Sequence, residues 1–270
     1  MASSLILVGC GKMGGALLEG WLERGVDAAD VVVVEPHAPA AGPATARGVA
    51  VVASADAVPA AKRPDVVIFA VKPQMMDGVL PGYARFAADG PVFLSIAAGK
   101  TIGYFRRHLG KDAAIVRAMP NTPAAVRRGM TVAYASPPVA ETQRRLCDGL
   151  LSAVGEVAWI DDEAHLDAVT ALSGGGPAYV FLLAEALAQA GVEAGLPADL
   201  AARLARVTVA GSGELLYRSP EPPAVLRQNV TSPGGTTAEA LKVLMAADGW
   251  QPLLTKAIAA ATRRSRELAG

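Results

Sequence analysis

The chain is poor in the groups that carry hydrolytic, metal or disulfide chemistry. Its 270 residues include three histidines and two cysteines. Cys10 and Cys147 are far apart and match no metal-ligand spacing, so free thiols in a reducing cytosol are the simplest interpretation. We find no Ser/His/Asp set either. The sequence therefore argues against a metalloenzyme and a triad hydrolase.

An excess of charge of one sign is also missing. Basic and acidic residues number 25 each, which gives a net charge of zero. No field of one sign would draw the protein to nucleic acid or to an anionic membrane. We therefore expect neither as a partner.

Long hydrophobic runs are absent although 52% of the residues are hydrophobic. The longest uncharged apolar stretch, residues 168–184, is broken by Gly174-Gly175-Gly176-Pro177. We interpret it as alanine-rich buried helices with an oligomer interface, and not as a bilayer span. The first residues lack the basic and apolar regions of a signal peptide, so the expected location is cytoplasmic.

The opening of the chain predicts a strand, a tight turn and a helix. The apolar run Leu5–Val8 leads into Gly9-Cys10-Gly11-Lys12-Met13-Gly14, which has the Gly-x-Gly-x-x-Gly spacing. In a dinucleotide-binding unit Gly9 allows the turn, Gly11 admits the pyrophosphate and Gly14 lets the helix pack on the strand. The alternative is an ordinary glycine turn.

A second apolar run, Val31–Val34, ends at Glu35, which follows Gly14 by 21 residues. An acidic side chain at this place accepts hydrogen bonds from an adenine-ribose diol and repels a 2′-phosphate. Glu35 thus favours NADH over NADPH, unless His37 or Arg47 moves toward the phosphate. The alternative is a strand-end carboxylate that faces water.

Further apolar runs alternate with helical patterns up to residue 160. The predicted strands are 49–52, 65–71, 92–99, 114–119, 131–134 and 156–160, and the predicted helices are 54–61 with Ser54 as N-cap, one that opens at Thr101, and 141–151. Such alternation predicts a doubly wound, Rossmann-like α/β domain.

Two of these strands end in residues suited to a ligand at the carboxyl edge of the sheet. The fourth runs through Ala70 and Val71 into Lys72-Pro73, and the fifth ends in small residues that include Ala97. The alternative for Lys72 is a solvated loop cation.

The pattern changes near residues 160–164, and only helices are predicted beyond. They span 166–172, 178–190, 199–217, 223–228, 237–246 and 250–268. We therefore expect a dinucleotide-binding domain over residues 1–162 and an all-helical substrate and dimerisation domain over residues 163–270. The helices are apolar nearly all round, which is typical of burial inside a dimer.

Two segments of the helical region suggest ligand contacts. The segment from Ser173 to Tyr179 is either an interhelical loop with Pro177 in the first helical turn or a place of close backbone approach. In Asn229–Glu239, Thr236 and Glu239 have the spacing of a capping box. Gly234 and Gly235 also offer bare N–H groups at a helix N-terminus, a ready site for a small carboxylate, and Thr237 adds a hydroxyl.

Taken together, several blocks resemble pyrroline-5-carboxylate reductase over essentially the whole chain. They are the opening glycine motif, Ala70-Val71-Lys72-Pro73, Arg117-Ala118-Met119-Pro120-Asn121-Thr122-Pro123, Leu172-Ser173-Gly174 with Gly176-Pro177-Ala178-Tyr179, and Thr231-Ser232-Pro233-Gly234-Gly235-Thr236-Thr237. The Met-Pro-Asn-Thr-Pro and Ser-Pro-Gly-Gly-Thr-Thr blocks are the most specific.

This resemblance implies that NADH or NADPH donates a hydride to the C=N carbon of 1-pyrroline-5-carboxylate, a cyclic imino acid, to give L-proline. It also implies a homodimer or larger homo-oligomer. Residues 9–14, 70–73 and Asn229 would hold the cofactor. The segment Ser232–Thr237 would bind the substrate, and we expect Thr237 to hydrogen-bond the ring nitrogen as the catalytic residue.

Three residues depart from the family's pattern. Gly175 stands where relatives often carry Ser, and Gln228 stands where Asp is common. Glu35 stands where relatives often carry a small residue or an Asn or Arg, which argues against a preference for NADPH.

Two other functions compete. A β-hydroxyacid dehydrogenase begins with a similar glycine block, but its chemistry resembles one that uses a lysine of the second domain, and this chain has no lysine between Lys111 and Lys242. A non-catalytic dinucleotide sensor would need the first domain and Glu35, but not the Ser-Pro-Gly-Gly-Thr-Thr loop.

Overall fold

A computed structural model of the chain describes residues 3–269. The strands are β1 (Leu5–Val8), β2 (Val31–Val34), β3 (Ala50–Val52), β4 (Val66–Phe69), β5 (Val92–Ser95), β6 (Ala114–Met119), β7 (Gly129–Ala135) and β8 (Gly155–Trp159). The helices are α1 (Lys12–Glu23), α2 (Ala38–Ala46), α3 (Met76–Val79), α4 (Ile102–Leu109), α5 (Glu141–Leu151), α6 (His165–Val169), α7 (Gly176–Glu193), α8 (Ala198–Arg218), α9 (Pro223–Asn229), α10 (Thr236–Leu244) and α11 (Trp250–Ala269).

The eight strands form one sheet in the order β3-β2-β1-β4-β5-β6-β7-β8. All neighbouring pairs are parallel except β6 and β7, which are antiparallel. A parallel neighbour needs a long crossover, whereas the link between β6 and β7 holds only a short 3-10 turn, Thr122–Val126. The predicted Rossmann-like sheet is confirmed, with one reversed strand that the apolar runs did not reveal.

Each face of the sheet carries its own hydrophobic core. Alternate strand residues, such as Leu5 and Leu7, pack with Trp21 of α1 and Leu151 of α5. The opposite set packs with α3, α4 and a 3-10 segment, Leu80–Asp89. Both faces are covered, and this explains why β1, β2, β4 and β5 are apolar at nearly every position.

Two short-range predictions in this region had different outcomes. Thr101 is the N-cap of α4, and its Oγ1 accepts a hydrogen bond from the N–H of Tyr104 at 3.2 Å. The helix predicted over 54–61 is wrong, since only a 3-10 turn, Ala55–Ala57, forms there and Ser54 makes no side-chain cap bond. Val58 is extended because the following Pro59 disfavours helical backbone at the preceding residue.

The chain divides into two compact units. The first comprises the residues up to Gly174 together with the segment from Ala261, and the second spans Gly175–Ala260. The change from strands to helices comes earlier in the chain, but α6 stays with the sheet because Leu166 is buried. Asp167, also in α6, accepts a hydrogen bond from Ser265 Oγ at 2.6 Å, which ties in the end of α11.

The second unit is all helical, as predicted. Its longest helices, α7 and α8, pack closely where Gly191 meets Ala201; a Cβ on Gly191 would lie 3.1 Å from the Ala201 Cβ. Many large apolar side chains on these helices are nevertheless exposed, including Phe181 at 63% and Val207 at 62%. The helices that we expected to be buried are thus not buried by their own chain.

Candidate active site

The glycine loop between β1 and α1 is shaped by two close approaches. Gly9 has a φ of 92°, and a Cβ there would lie 2.8 Å from Val71 Cγ1. A Cβ on Gly14 would overlap the carbonyl oxygen of Gly9. Both positions therefore require glycine, Gly9 for its left-handed backbone and Gly14 for contact between helix and loop.

The middle glycine serves a different purpose. Gly11 is exposed, and apart from Gly11 itself and its two chain neighbours no residue has an atom within 4 Å of where its Cβ would be. It is the N-cap of α1, and it has no side chain to satisfy the first amides of the helix. An open glycine before free helical N–H groups fits the pyrophosphate of a dinucleotide, which the positive end of the helix dipole also favours.

Glu35 is placed at this loop by the end of β2. Its Oε2 accepts a hydrogen bond from the N–H of Cys10 at 2.9 Å, and its Oε1 accepts one from the N–H of His37 at 2.9 Å. Both oxygens keep lone pairs for further donors, since a carboxylate has about four acceptor sites. The Glu35 carboxylate thus lies beside the glycine loop, with its orientation fixed by two backbone amides.

Two other titratable groups near the loop are the Cys10 thiol and the Arg47 guanidinium. Burial, with smaller contributions from Glu35 and Glu19, raises the pKa of the Cys10 thiol above its ordinary value. Cys10 is therefore a protonated, largely buried thiol and not a nucleophile. Arg47, an alternative phosphate ligand, lies 3.3 Å from Glu19 in an ion pair.

The remaining predicted cofactor residues lie at the carboxyl ends of β4 and β5. Ala70 and Val71 follow β4 directly and contact Gly9, and exposed Lys72 is the N-cap of a 3-10 turn that begins at Pro73. Ala97 is buried after β5, where its N–H donates to Ser95 Oγ at 3.2 Å. These strand ends share one edge with the glycine loop, because β1, β4 and β5 are parallel neighbours.

A buried ion pair that was not predicted also lies at this edge. Arg117 in β6 is 8% exposed, and its Nη1 lies 2.5 Å from Glu163 Oε1. The same oxygen accepts a hydrogen bond from the N–H of Ile102 at 2.7 Å. Glu163 thereby joins the start of α4 to β6. The one signal in the sequence is a charged residue within an apolar strand, and it does not indicate which residue pairs with that charge.

The predicted substrate segment lies in the second unit, between α9 and α10. The N–H of Gly235 donates to the carbonyl of Ser232 at 3.0 Å, with Pro233 and Gly234 between them. Gly234 has a φ of 69°, so proline and a left-handed glycine stand where a type II turn needs them. The turn ends at the N-cap of α10, beside half-buried Thr237, and Asn229 is the last residue of α9.

The capping box predicted for Thr236 and Glu239 is wrong. Helix α10 has Gly235 as N-cap and no side-chain cap bond, so Thr236 is already inside the helix. The Glu239 carboxylate instead lies 2.6 Å from Lys242 Nζ. A capping box needs Thr236 as the N-cap residue. The turn at Gly234 makes Gly235 the N-cap instead, so the helix begins one residue too early for the motif. The first amides of α10 therefore have no capping side chain from the N-cap residue.

Within each unit, the structure brings the predicted residues together. Those predicted for the cofactor, apart from Asn229, lie along one edge of the sheet: Gly9, Cys10, Gly11, Lys12, Met13, Gly14, Glu35, Ala70, Val71, Lys72, Pro73 and Ala97. Those predicted for the substrate lie in one turn and the helical turn after it: Ser232, Gly234, Gly235, Thr236 and Thr237. No group of three or more metal-ligating side chains occurs among residues 3–269.

Two family models match the chain. Residues 4–99 match the family described as NADP oxidoreductase, coenzyme F420-dependent. Residues 163–268 match the family described as pyrroline-5-carboxylate reductase dimerisation. A Rossmann-type sheet with an open glycine loop, followed by a helical dimerisation domain, defines an NAD(P)H-dependent oxidoreductase.

Relatives narrow this class further. A pyrroline-5-carboxylate reductase from Pseudomonas aeruginosa is 40% identical over 98% of this chain and 96% of its own. The solved pyrroline-5-carboxylate reductase from Coxiella burnetii is 34% identical, with a TM-score of 0.92 over 100% of both chains. A pyrroline carboxylate reductase from Plasmodium falciparum, solved with NADP bound, is 29% identical with a TM-score of 0.83, over 99% of this chain and 98% of its own. The chain belongs to the pyrroline-5-carboxylate reductase family.

Proposed function

We propose that this chain reduces the C=N bond of 1-pyrroline-5-carboxylate with NAD(P)H and releases L-proline. Full-length similarity to reductases of this name supports the reaction. The observation that carries the substrate assignment is the glycine turn at the uncapped N-terminus of α10. A dinucleotide sensor would have no use for a second anion site of this kind.

The turn holds the substrate by its carboxylate. Helix N-termini leave their first amides without intrahelical partners and attract negative charge. We assign the carboxylate to Ser232 and to the backbone N–H groups of Gly234 and Thr236. The N–H of Gly235, which we expected to take part, instead closes the turn on the Ser232 carbonyl, so Gly235 contributes the shape of the turn and not a donor. The Thr237 hydroxyl, one residue into the helix, hydrogen-bonds the ring nitrogen and sets which face of the C=N bond is presented.

The first unit holds the cofactor. Residues 9–14 bind the pyrophosphate, Glu35 binds the adenine ribose, and Ala70–Pro73 and Ala97 line the edge beside it. From the second unit we add Asn229, on the family resemblance. When bound, the reduced nicotinamide supplies the hydride.

The reaction asks little acid–base chemistry of the protein. A cyclic imine can enter already protonated, so that hydride addition leaves a neutral amine that takes a proton from water. The work of the chain is to fix two reactants in contact and to exclude water from them. This agrees with a substrate segment that offers backbone N–H groups and the hydroxyls of Ser232, Thr236 and Thr237.

The cofactor preference follows from Glu35. Its carboxylate is anchored to the amides of Cys10 and His37, so it cannot swing away cheaply to admit a 2′-phosphate. We therefore propose that NADH is the better donor. Glu35→Ser should raise kcat/KM for NADPH about tenfold, while Glu35→Gln, which keeps the shape without the charge, should give part of that gain.

Self-association explains the exposed apolar helices. The helical region is a dimerisation domain of its family. Residues His165–Glu193 have the length and hydropathy of a membrane span, yet such a stretch also suits an interface, and only 6% of its most apolar window is buried within the chain. We propose that a second copy covers this surface in a cytoplasmic dimer, and that dimers assemble further. Light scattering of the detergent-free protein, with cell fractionation, tests both points.

Steady-state oxidation of NADH and NADPH with pyrroline-5-carboxylate tests the function directly. Turnover with both cofactors and a higher kcat/KM for NADH is expected. A higher value for NADPH would keep the reaction and overturn the role given to Glu35. Cofactor binding without turnover of this imine would favour the sensor, and turnover of a β-hydroxyacid would favour the dehydrogenase.

The role of Thr237 is tested by a matched pair of variants. Thr237→Ala removes the hydroxyl and should lower kcat/KM for the imine at least about tenfold, since one lost hydrogen bond to a charged group is worth about 1.5–3 kcal/mol. Thr237→Ser keeps the hydroxyl and should stay within a few fold of the parent. Equal rates for the parent and Thr237→Ala would contradict the assignment.

A further inference from the structure

Asn121 links the end of β6 to a turn far along the chain. Its Nδ2 donates a hydrogen bond to Ser173 Oγ at 3.2 Å, and its Oδ1 accepts one from the N–H of Met130 at 2.9 Å. An N–H group can only donate, so the bond from Met130 fixes which end of the carboxamide faces Ser173. The side chain is half-buried between prolines 120 and 123.

The segment that Asn121 reaches has an unusual backbone. Residues Thr170–Gly174 form a π-helical turn between α6 and α7. Single π turns are rare and occur disproportionately at functional sites. The Met119 side chain lies directly against this turn, since a Cβ on Gly174 would overlap the Met119 Cε.

This contact lies at the edge where the cofactor residues are found. Met119 is the last residue of β6, the parallel neighbour of β5, and Ala97 lies just beyond the end of β5. In parallel sheets ligands bind beyond the carboxyl ends of the strands. A shift of the π turn would therefore move the Met119 side chain at the edge where we expect the cofactor.

We propose that Asn121 is a positioning residue for hydride transfer, acting through Ser173 on the π turn. Its carboxamide holds the hydroxyl, the turn holds the Met119 side chain, and Met119 limits the room available to the nicotinamide at this edge of the sheet. Asn121 need not touch the reacting atoms itself. The inference rests on the proposed function, because it concerns the geometry of that reaction.

The test uses Ser173→Ala, with Ser173→Thr as the variant that restores the hydroxyl. Ser173→Ala should lower kcat about tenfold, because a misplacement of about 1 Å can cost as much as 100-fold, while the KM for NAD(P)H stays within about twofold. Hydride transfer should become rate-limiting. The isotope effect on kcat, measured with cofactor that carries deuterium at the transferred position, should therefore be larger than in the parent. Ser173→Thr should recover at least half of the parent kcat.

A matched control lies in the same turn. Thr170 Oγ1 donates to the carbonyl of Leu166 at 2.7 Å, within the helix itself. Thr170→Ala should therefore leave kcat and the isotope effect within about twofold of the parent, because its bond holds no other element. Asn121→Ala combined with Ser173→Ala should be no slower than Asn121→Ala alone, since both remove one interaction.

Two results would overturn the inference in different ways. If the parent turns over the imine and Ser173→Ala matches it in kcat and isotope effect, Asn121 has no positioning role while the proposed function stands. If the parent turns over no imine, the proposed function fails and the inference fails with it.

Discussion

The two compact units solve the problem of burial differently. In the first, the sheet is covered on both faces, and strands β1, β2, β4 and β5 are wholly buried. In the second, α7, α9 and α10 contain no buried residue although they are rich in apolar side chains. The first unit completes its core within one chain, while the second leaves its core to be completed by another.

This difference separates two uses of hydrophobic sequence. Burial of apolar area stabilises a fold by about 25 cal/mol per Å², whichever chain supplies the cover. In the first unit that free energy is available to a single chain at any concentration. In the second it depends on association, so folding and assembly are linked.

The largest effect is expected from Gly14→Ala, which breaks the closed packing of the first unit. The new Cβ would overlap the Gly9 carbonyl oxygen, a backbone atom that cannot rotate away. We expect the free energy of unfolding to fall by about 3 kcal/mol, as for severe overpacking, together with loss of nucleotide binding. Urea unfolding and calorimetric titration with NADH measure the two effects.

Gly11→Ala is the control for that change. It adds the same methyl group at a place where only its own chain neighbours lie within 4 Å. Stability should change by no more than about 1 kcal/mol, because alanine is only a poorer N-cap, while nucleotide binding still weakens. Equal free energies of unfolding for Gly14→Ala and Gly11→Ala would show that the loop relaxes around the new Cβ, and that Gly14 is not required for packing.

The second-largest effect is expected on dimerisation through the second unit. Phe181→Glu places a charge on an exposed apolar surface that we expect a second copy to cover. The dissociation constant of the dimer should rise about 100-fold, as for the loss of an aromatic interface residue. Sedimentation at several protein concentrations measures it.

Val126→Glu provides the comparison from the first unit, where Val126 is 69% exposed. It should leave the dissociation constant within about threefold, since isolated exposed apolar residues are ordinary. Equal weakening by both substitutions would mean that the interface is not confined to the helical unit. A monomeric parent protein would remove the distinction between the units.

The third effect concerns the stability contributed by the buried ion pair of the first unit. Glu163→Gln removes the charge that faces Arg117, which is largely buried, and should lower the free energy of unfolding by about 2 kcal/mol. Glu141→Gln breaks an exposed pair with Arg145 and should cost no more than about 0.5 kcal/mol. Similar losses for the two variants would indicate that Arg117 is solvated more than its burial implies.

The smallest effect is a pH dependence that arises from the same core. Burial in α5 raises the pKa of the Cys147 thiol to about 12 from an ordinary value of 9.0. The unfolded chain therefore loses this proton first, so stability is unaffected below pH 9 and falls as the pH rises from 9 toward 12. At pH 10 this ionisation lowers the free energy of unfolding by about 1.4 kcal/mol.

Cys147→Ala removes that contribution. Its free energy of unfolding should fall less steeply than that of the parent between pH 9 and pH 10.5, with parallel curves between pH 7 and pH 8. Urea titrations across this range measure the slopes. Curves that stay parallel up to pH 10.5 would show that the thiol ionises alike in both states.

Much of the first unit could be predicted because its signals are local. Apolar runs mark fully buried strands, and the spacing of Gly9, Gly11 and Gly14 marks the loop. The boundaries differ by a few residues; the strand predicted over 65–71 is Val66–Phe69. Ser54 is not a helix cap, because Pro59 prevents the predicted helix from forming after it.

The sequence by itself determined the positions of the loops, strands and helices. It did so through its glycines and the spacing of its apolar residues, because these features act through contacts between residues close along the chain. Only the tertiary structure decided that β7 runs against β6, that Glu163 meets Arg117, and that Asn121 reaches Ser173. Each of these joins residues distant along the chain, and such pairs depend on how the layers pack and not on any local preference.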